Sequence, residues 1–96
     1  MADNEPLLSD TYTLTGTTAD TVTFQQWMGG VEVENLDEAV YLWVSFDPDV
    51  TATSEGEDCI PIAPSDSKTF HPQLVGPDQP FSVVGDGNDF MVAGLK

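Results

Sequence analysis

From Thr11 onward, polar and apolar positions alternate with a period of two. Threonines separate Tyr12 from Leu14 in TYTLTG and Val22 from Phe24 in TVTFQQW, and in GGVEVENL Val31 and Val33 alternate with Glu32 and Glu34. Successive side chains of a strand point to opposite faces, so these segments predict strands with one face in a core and the other in water. The run AVYLWVSF, Ala39 to Phe46, is apolar on both faces and predicts a central strand covered on both sides. Leu42 and Val44 share one face of it, Tyr41 and Trp43 the other. CIPIA, SKTFHPQL, PFSVVG and DFMVAGL follow, each short and bounded by Gly, Pro or Asp. No window combines apolar residues at helical spacing with a cap before and a glycine after.

Seven prolines and eight glycines punctuate the chain at intervals suited to turns. Pro61 and Pro72 fall inside strand-like runs, which predicts edge strands or bulges, because proline cannot donate to a ladder. The pattern as a whole predicts an all-β protein. It is a small antiparallel β-sandwich or barrel of seven to eight short strands, forming one domain over residues 11–96. Residues 1–10, polar except for Pro6, Leu7 and Leu8, read as an extended N-terminal arm.

The long apolar run ends at Asp47 because DPD opens a turn: the aspartate accepts from the backbone just ahead and Pro48 presets φ. A calcium site drawn from Asp47, Asp49, Glu55, Glu57 and Asp58 is the sharper alternative. The calcium-loop motif, however, needs glycine at its sixth position, where Ala52 stands, and an acid at its fifth, where Thr51 stands. GDGND, Gly85 to Asp89, reads as hairpin chemistry rather than ligation. The single histidine, His71, lies between Phe70 and Pro72, and no nucleophile elbow accompanies it. Cys59, the only cysteine, reads as a small buried hydrophobe beside Ile60 and excludes an intrachain disulfide. The expectation is a protein without catalytic residues, metal or cofactor.

Charge narrows the field further. Two basic residues, Lys68 and Lys96, face seventeen acidic ones, giving a net charge of −15 over 96 residues. Nucleic-acid binding needs cations to displace counterions from phosphates, and adsorption to anionic membranes needs them too, so neither is expected. MADNEPLLSD lacks the basic and apolar regions of a signal peptide, and no apolar run is long enough to span a bilayer. What remains is a surface that binds. Leu7 and Leu8 either tuck onto their own domain or dock on a neighbouring subunit. Trp27 and Met28, just before Gly29 and Gly30, either fill the end of the sandwich or form a contact patch, since Trp and Met are enriched at interfaces.

The stretch from Gly30 to Pro64, with the TF pair beyond it, resembles small β-sandwich proteins encoded among the virion structural genes of tailed bacteriophages, especially those infecting actinobacteria. The matching positions are Val31, Val33, Asn35, Tyr41, Asp47, Pro48, Thr51, Gly56, Pro61, Pro64, Thr69 and Phe70. The glycine these proteins usually carry after the acidic turn residue is missing, since Pro48 follows Asp47 directly. The resemblance implies a decoration or cement protein on the outer surface of the head, made in the host cytoplasm. It would bind the major capsid protein and associate as a homotrimer. Residues 1–10 would be the clasp, with Leu7 and Leu8 as its anchors. The expected partner-binding residues are Pro6, Leu7 and Leu8, together with the contact patch of Trp27 and Met28. The alternatives are a tail- or fibre-associated carbohydrate-binding module that stacks sugars on Trp27, Trp43 and Tyr41, and a head–tail connector subunit.

Overall fold

The computed structural model describes residues 3–47 and 49–96. Met1 and Ala2 of the expected arm, and Pro48 of the expected turn, lie outside the described residues. The described residues form nine strands: β1 Asp3–Asn4, β2 Ser9–Thr13, β3 Asp20–Val22, β4 Gly30–Asn35, β5 Leu42–Ser45, β6 Ile60–Ile62, β7 Ser67–Phe70, β8 Phe81–Val84 and β9 Asp89–Leu95. Among the described residues there is no helix. The strands make two sheets, of order β1-β3-β8-β5-β6 and β2-β9-β4-β7. All neighbours are antiparallel except β1 and β3. The fold is the β-sandwich that the alternation predicts.

The order has a simple logic. β2 and β3, β9 and β8, β4 and β5, and β7 and β6 hold matching places in the two sheets, and every connection except β5 to β6 crosses between sheets. A doubled-back ribbon wrapped in this way makes two Greek keys, the strand order of a jelly roll, to which β1 adds a fifth strand on one edge. GDGND is therefore not a hairpin: it carries the chain from β8 in one sheet to β9 in the other. Two other expectations also shift. β5 is interior but not central, because β8, buried along its whole length, takes the middle of the five-stranded sheet. The arm is not a separate extension, since Asp3–Asn4 pairs with β3 and Ser9–Thr13 is β2, so the boundary at residue 11 falls inside a strand.

The inward series follows the pattern. Val22 and Phe24, Val31 and Val33, Leu42 and Val44, Phe81 and Val83, and Phe90 and Val92 all meet in one cluster between the sheets. Pro61 lies in β6, an edge strand, where its missing N–H breaks no ladder. Pro72 lies beyond β7, after a cis peptide bond from His71. Asp47 makes the expected turn: its Oδ1 accepts from the Asp49 N–H at 2.9 Å, and its carbonyl accepts from the Val50 N–H at 3.1 Å. Beyond that turn the chain lies over the outer face of the five-stranded sheet. The Ala52 N–H donates to Ser82 Oγ at 2.7 Å, and the Ser45 hydroxyl donates to the Val50 carbonyl at 3.0 Å.

Tyr12 packs on Phe90, with ring centroids 5.8 Å apart. Its pKa is raised, first by burial, then by the charge of Asp10 and the hydrogen bond to that carboxylate. Folding favours the protonated phenol, so this contribution is present below the ordinary tyrosine range and is lost as pH rises through the raised folded value. In a Tyr41→Phe background, the ultraviolet absorbance of tyrosinate is expected to titrate later in the folded protein than in urea. Asp10→Asn should move that midpoint partway back, burial being the larger cause. A midpoint untouched by Asp10→Asn would show that the carboxylate plays no part.

Candidate functional site

Strand directions fixed by the pairing divide the eight connections between two poles, four at each. One pole gathers the link 5–8, the segment 24–29, the stretch 71–80 and the C-terminal Leu95 and Lys96. Hydrogen bonds tie these pieces together. The Gln25 N–H donates to the Pro6 carbonyl at 3.1 Å, and the Gln25 and Gln26 side chains donate to the Glu5 and Leu7 carbonyls at 2.7 and 3.1 Å. The Gly94 N–H donates to the Leu8 carbonyl at 2.7 Å, and Met28 and Val75 exchange backbone bonds at 2.9 and 3.2 Å.

The expected contact residues separate at this pole. Met28 is 1% exposed, and its side chain lies so close to Gly94 that an added Cβ would come within 2.8 Å of three of its atoms. Pro6 is buried as well. Neither presents a surface: Met28 takes the reading in which it fills the end of the sandwich, and Pro6 is covered where the link lies along residues 24–26. Leu7, Leu8 and Trp27 are 60%, 51% and 50% exposed. The Trp27 indole lies flat enough against Gly76 that no Cβ fits there. Leu74, 57% exposed, stands beside Val75 on the same pole and was not among the expected residues. Its sequence signal is the pair Leu74–Val75, since adjacent residues of an extended segment cannot both point inward. Trp27–Met28 is the same signal.

At the opposite pole a buried polar cluster holds the loops. Asn35 Nδ2 donates to the carbonyls of Val40 at 2.8 Å, Ile62 at 3.1 Å and Ala63 at 3.3 Å. Its Oδ1 accepts from the Asp37 N–H at 3.1 Å and from Asn88 Nδ2 at 3.0 Å. Asn88 also donates to the Val40 carbonyl, and its Oδ1 accepts from the Asp86 N–H. Both side chains are wholly buried and fully satisfied, which makes the cluster a fastening rather than a ligand site.

The aromatic platform expected for sugars is not assembled from three rings. Tyr41 and Trp43 adjoin on the outer face of β5, with centroids 6.2 Å apart, while Trp27 lies at the other pole. Trp43 stands between its paired neighbours Val84 and Pro61. A cleft of about 130 Å³ lies between the Asp47–Thr51 loop and Pro80–Ser82, with Asp47 as its carboxylate. Pockets that enclose a small molecule run to about 300–1,000 Å³. His71 is exposed beyond the end of β7. Cys59 is half-buried rather than buried, its sulfur accepting weakly from the Thr53 N–H at 3.5 Å. Among the described residues no group of three His, Cys, Asp or Glu side chains is arranged to hold a metal ion. No helix among the described residues is long and apolar enough to cross a membrane. A scan against protein-family models and a search of curated proteins match nothing to this chain.

Proposed function

We propose that this chain is a virion structural protein, a cement or decoration protein that grips coat subunits on the outside of a tailed-phage head. The observation that carries the reading is that Leu7, Leu8, Trp27 and Leu74 are all exposed on one pole, whose segments are tied by backbone bonds. Several large apolar side chains exposed on one face mark a contact site, whereas single exposed ones need no explanation. Support also comes from the resemblance over Gly30 to Pro64, and from the jelly-roll order, which viral capsid domains use among several unrelated functions. Trimeric association belongs to the same reading. The carbohydrate-binding alternative keeps two rings, Tyr41 and Trp43, of which the second is half-buried against its own sheet.

The clasp is best tested by point substitution. Removing residues 1–10 would strip β1 and part of β2, and so would confound binding with folding. Leu7→Ser with Leu8→Ser leaves the backbone bonds in place. Heads stripped of the protein are expected to regain heat resistance when the wild-type chain is added back, and to gain markedly less with the double variant. Equal protection by both would remove the clasp, and no protection by the wild type would overturn the capsid reading.

A further inference from the structure

The exposed pole has a charge environment that defines its partner. Leu7, Leu8, Trp27 and Leu74 are the large apolar side chains exposed at this pole. Leu7 and Leu8 lie in the link held against Gln25, Gln26 and Gly94, and Leu74 lies beside the Met28–Val75 bridge that follows Trp27. Glu5 lies two residues before Leu7, and Asp78 sits in the turn from Gly76 to Gln79 on which Trp27 rests; both are exposed. Asp47 borders the same region, since it lines a cleft with Pro80. Lys96, at the end of the chain, is the cation found here among the described residues, and Lys68 lies mid-strand in β7.

Size then decides what kind of contact this pole makes. A specific interface buries about 800 Å² on each partner, while the largest apolar patch of a typical monomer covers about 300–600 Å². Four side chains cannot supply a whole interface, so any lasting contact runs outward onto the carboxylate rim. A second copy seated pole to pole would set Glu5 and Asp78 against their own kind, and like charges brought together across an interface oppose association. An acidic partner fails for the same reason. We infer that this pole docks a heterologous protein surface whose apolar centre is ringed by lysine or arginine, the apolar part giving hold and the ring giving speed and selectivity. The inference rests on the reading of this chain as a protein-binding structural component, and adds to it the face used and the chemistry of the partner.

The test uses the full chain and three tryptophan-free synthetic peptides: an amphipathic one with leucines on one side and lysines on the other, the same peptide with glutamates for lysines, and a lysine peptide without leucines. Binding is read from Trp27 emission in a Trp43→Phe background. The leucine–lysine peptide should bind and shift the emission to the blue, with affinity falling about tenfold between ~0.02 M and ~0.5 M salt as the rim is screened. The other two should bind at least about tenfold more weakly, and Leu74→Ser should cost the first peptide a similar factor, while Leu36→Ser at the opposite pole costs nothing. Equal binding of the lysine-only peptide with no effect of Leu74→Ser would overturn the inference, as would equal binding of the glutamate peptide. Sedimentation showing a dimer at low salt that Leu74→Ser dissociates would also overturn it, by making a second copy the occupant. Peptide binding as expected, with no protection of heads, would leave the pole standing and remove the capsid role; protection of heads with no peptide preference would do the reverse.

Discussion

Asn35→Asp is expected to destabilise the protein by about 4 kcal/mol at neutral pH, the scale of an uncompensated buried charge. The substitution keeps the acceptor that serves the Asp37 N–H and Asn88 Nδ2 and removes only the donor half of the side chain. In place of an NH₂ group facing the carbonyls of Val40, Ile62 and Ala63, a carboxylate oxygen would face three oxygens at 2.8 to 3.3 Å. Water cannot relieve this, because the residue is 0% exposed. The new carboxyl would hold its proton more tightly in the folded than in the unfolded chain. The native state then binds more protons, so the penalty is largest at neutral pH and shrinks as pH falls towards the ordinary carboxylate range. Urea unfolding followed by circular dichroism at several pH values measures both effects. A loss under about 1 kcal/mol, the net worth of an ordinary hydrogen bond, would mean that the loops at this pole are held by something else.

The position of Asn35 shows how much of the molecule could be read before its coordinates. Val31, Val33 and Asn35 continue one inward-facing series, so the alternation that placed two valines in the core also placed an amide there. A buried amide must find partners. Which partners it finds was not legible, because they are backbone carbonyls of loops whose approach depends on the wrapping of both sheets. The same division runs through the rest of the fold. Strand faces depend on neighbours two positions away and were readable at Val22, Phe24, Leu42 and Val44. Sheet membership depends on contacts far along the chain: GDGND carries ordinary turn residues whether it joins two strands of one sheet or arches between two. The residues of β1, Asp3 and Asn4, carry no apolar alternation. That segment is held instead by pairing with β3, by the Asn4 amide donating to Asp20 at 2.9 Å, and by the Thr23 hydroxyl donating to Asp3 at 3.0 Å. At the exposed pole Leu7, Leu8 and Trp27 were legible as apolar residues in polar or turn-rich surroundings. Met28 was not separable from Trp27 without knowing that Gly94 leaves room for its side chain.

Phe90→Ala should cost about 3–5 kcal/mol, the range for emptying a buried aromatic site. Phe90 is wholly buried in β9, paired on one side with Tyr12 of β2 and on the other with Asn35 of β4, so its ring stands where three strands and the facing sheet converge. Tyr12 leans on it and would lose that support. For a domain of 96 residues, total stability is about 5–15 kcal/mol, and a net charge of −15 subtracts from whatever the core supplies. With a denaturant slope of about 1 kcal/mol per molar in urea, the transition should move down by roughly 3–5 M, bringing the variant close to unfolding in water at low salt. Added salt screens repulsion among the exposed carboxylates and leaves the cavity unchanged. It should therefore raise the wild type and Phe90→Ala by nearly the same free energy, as independent terms do. Equal increments would assign the charge to the surface and the phenyl ring to the core as separate contributions. A much larger increment in the variant would mean that its unfolded chain, rather than its folded one, answers to salt, and the effect of the charge would then lie in the denatured state.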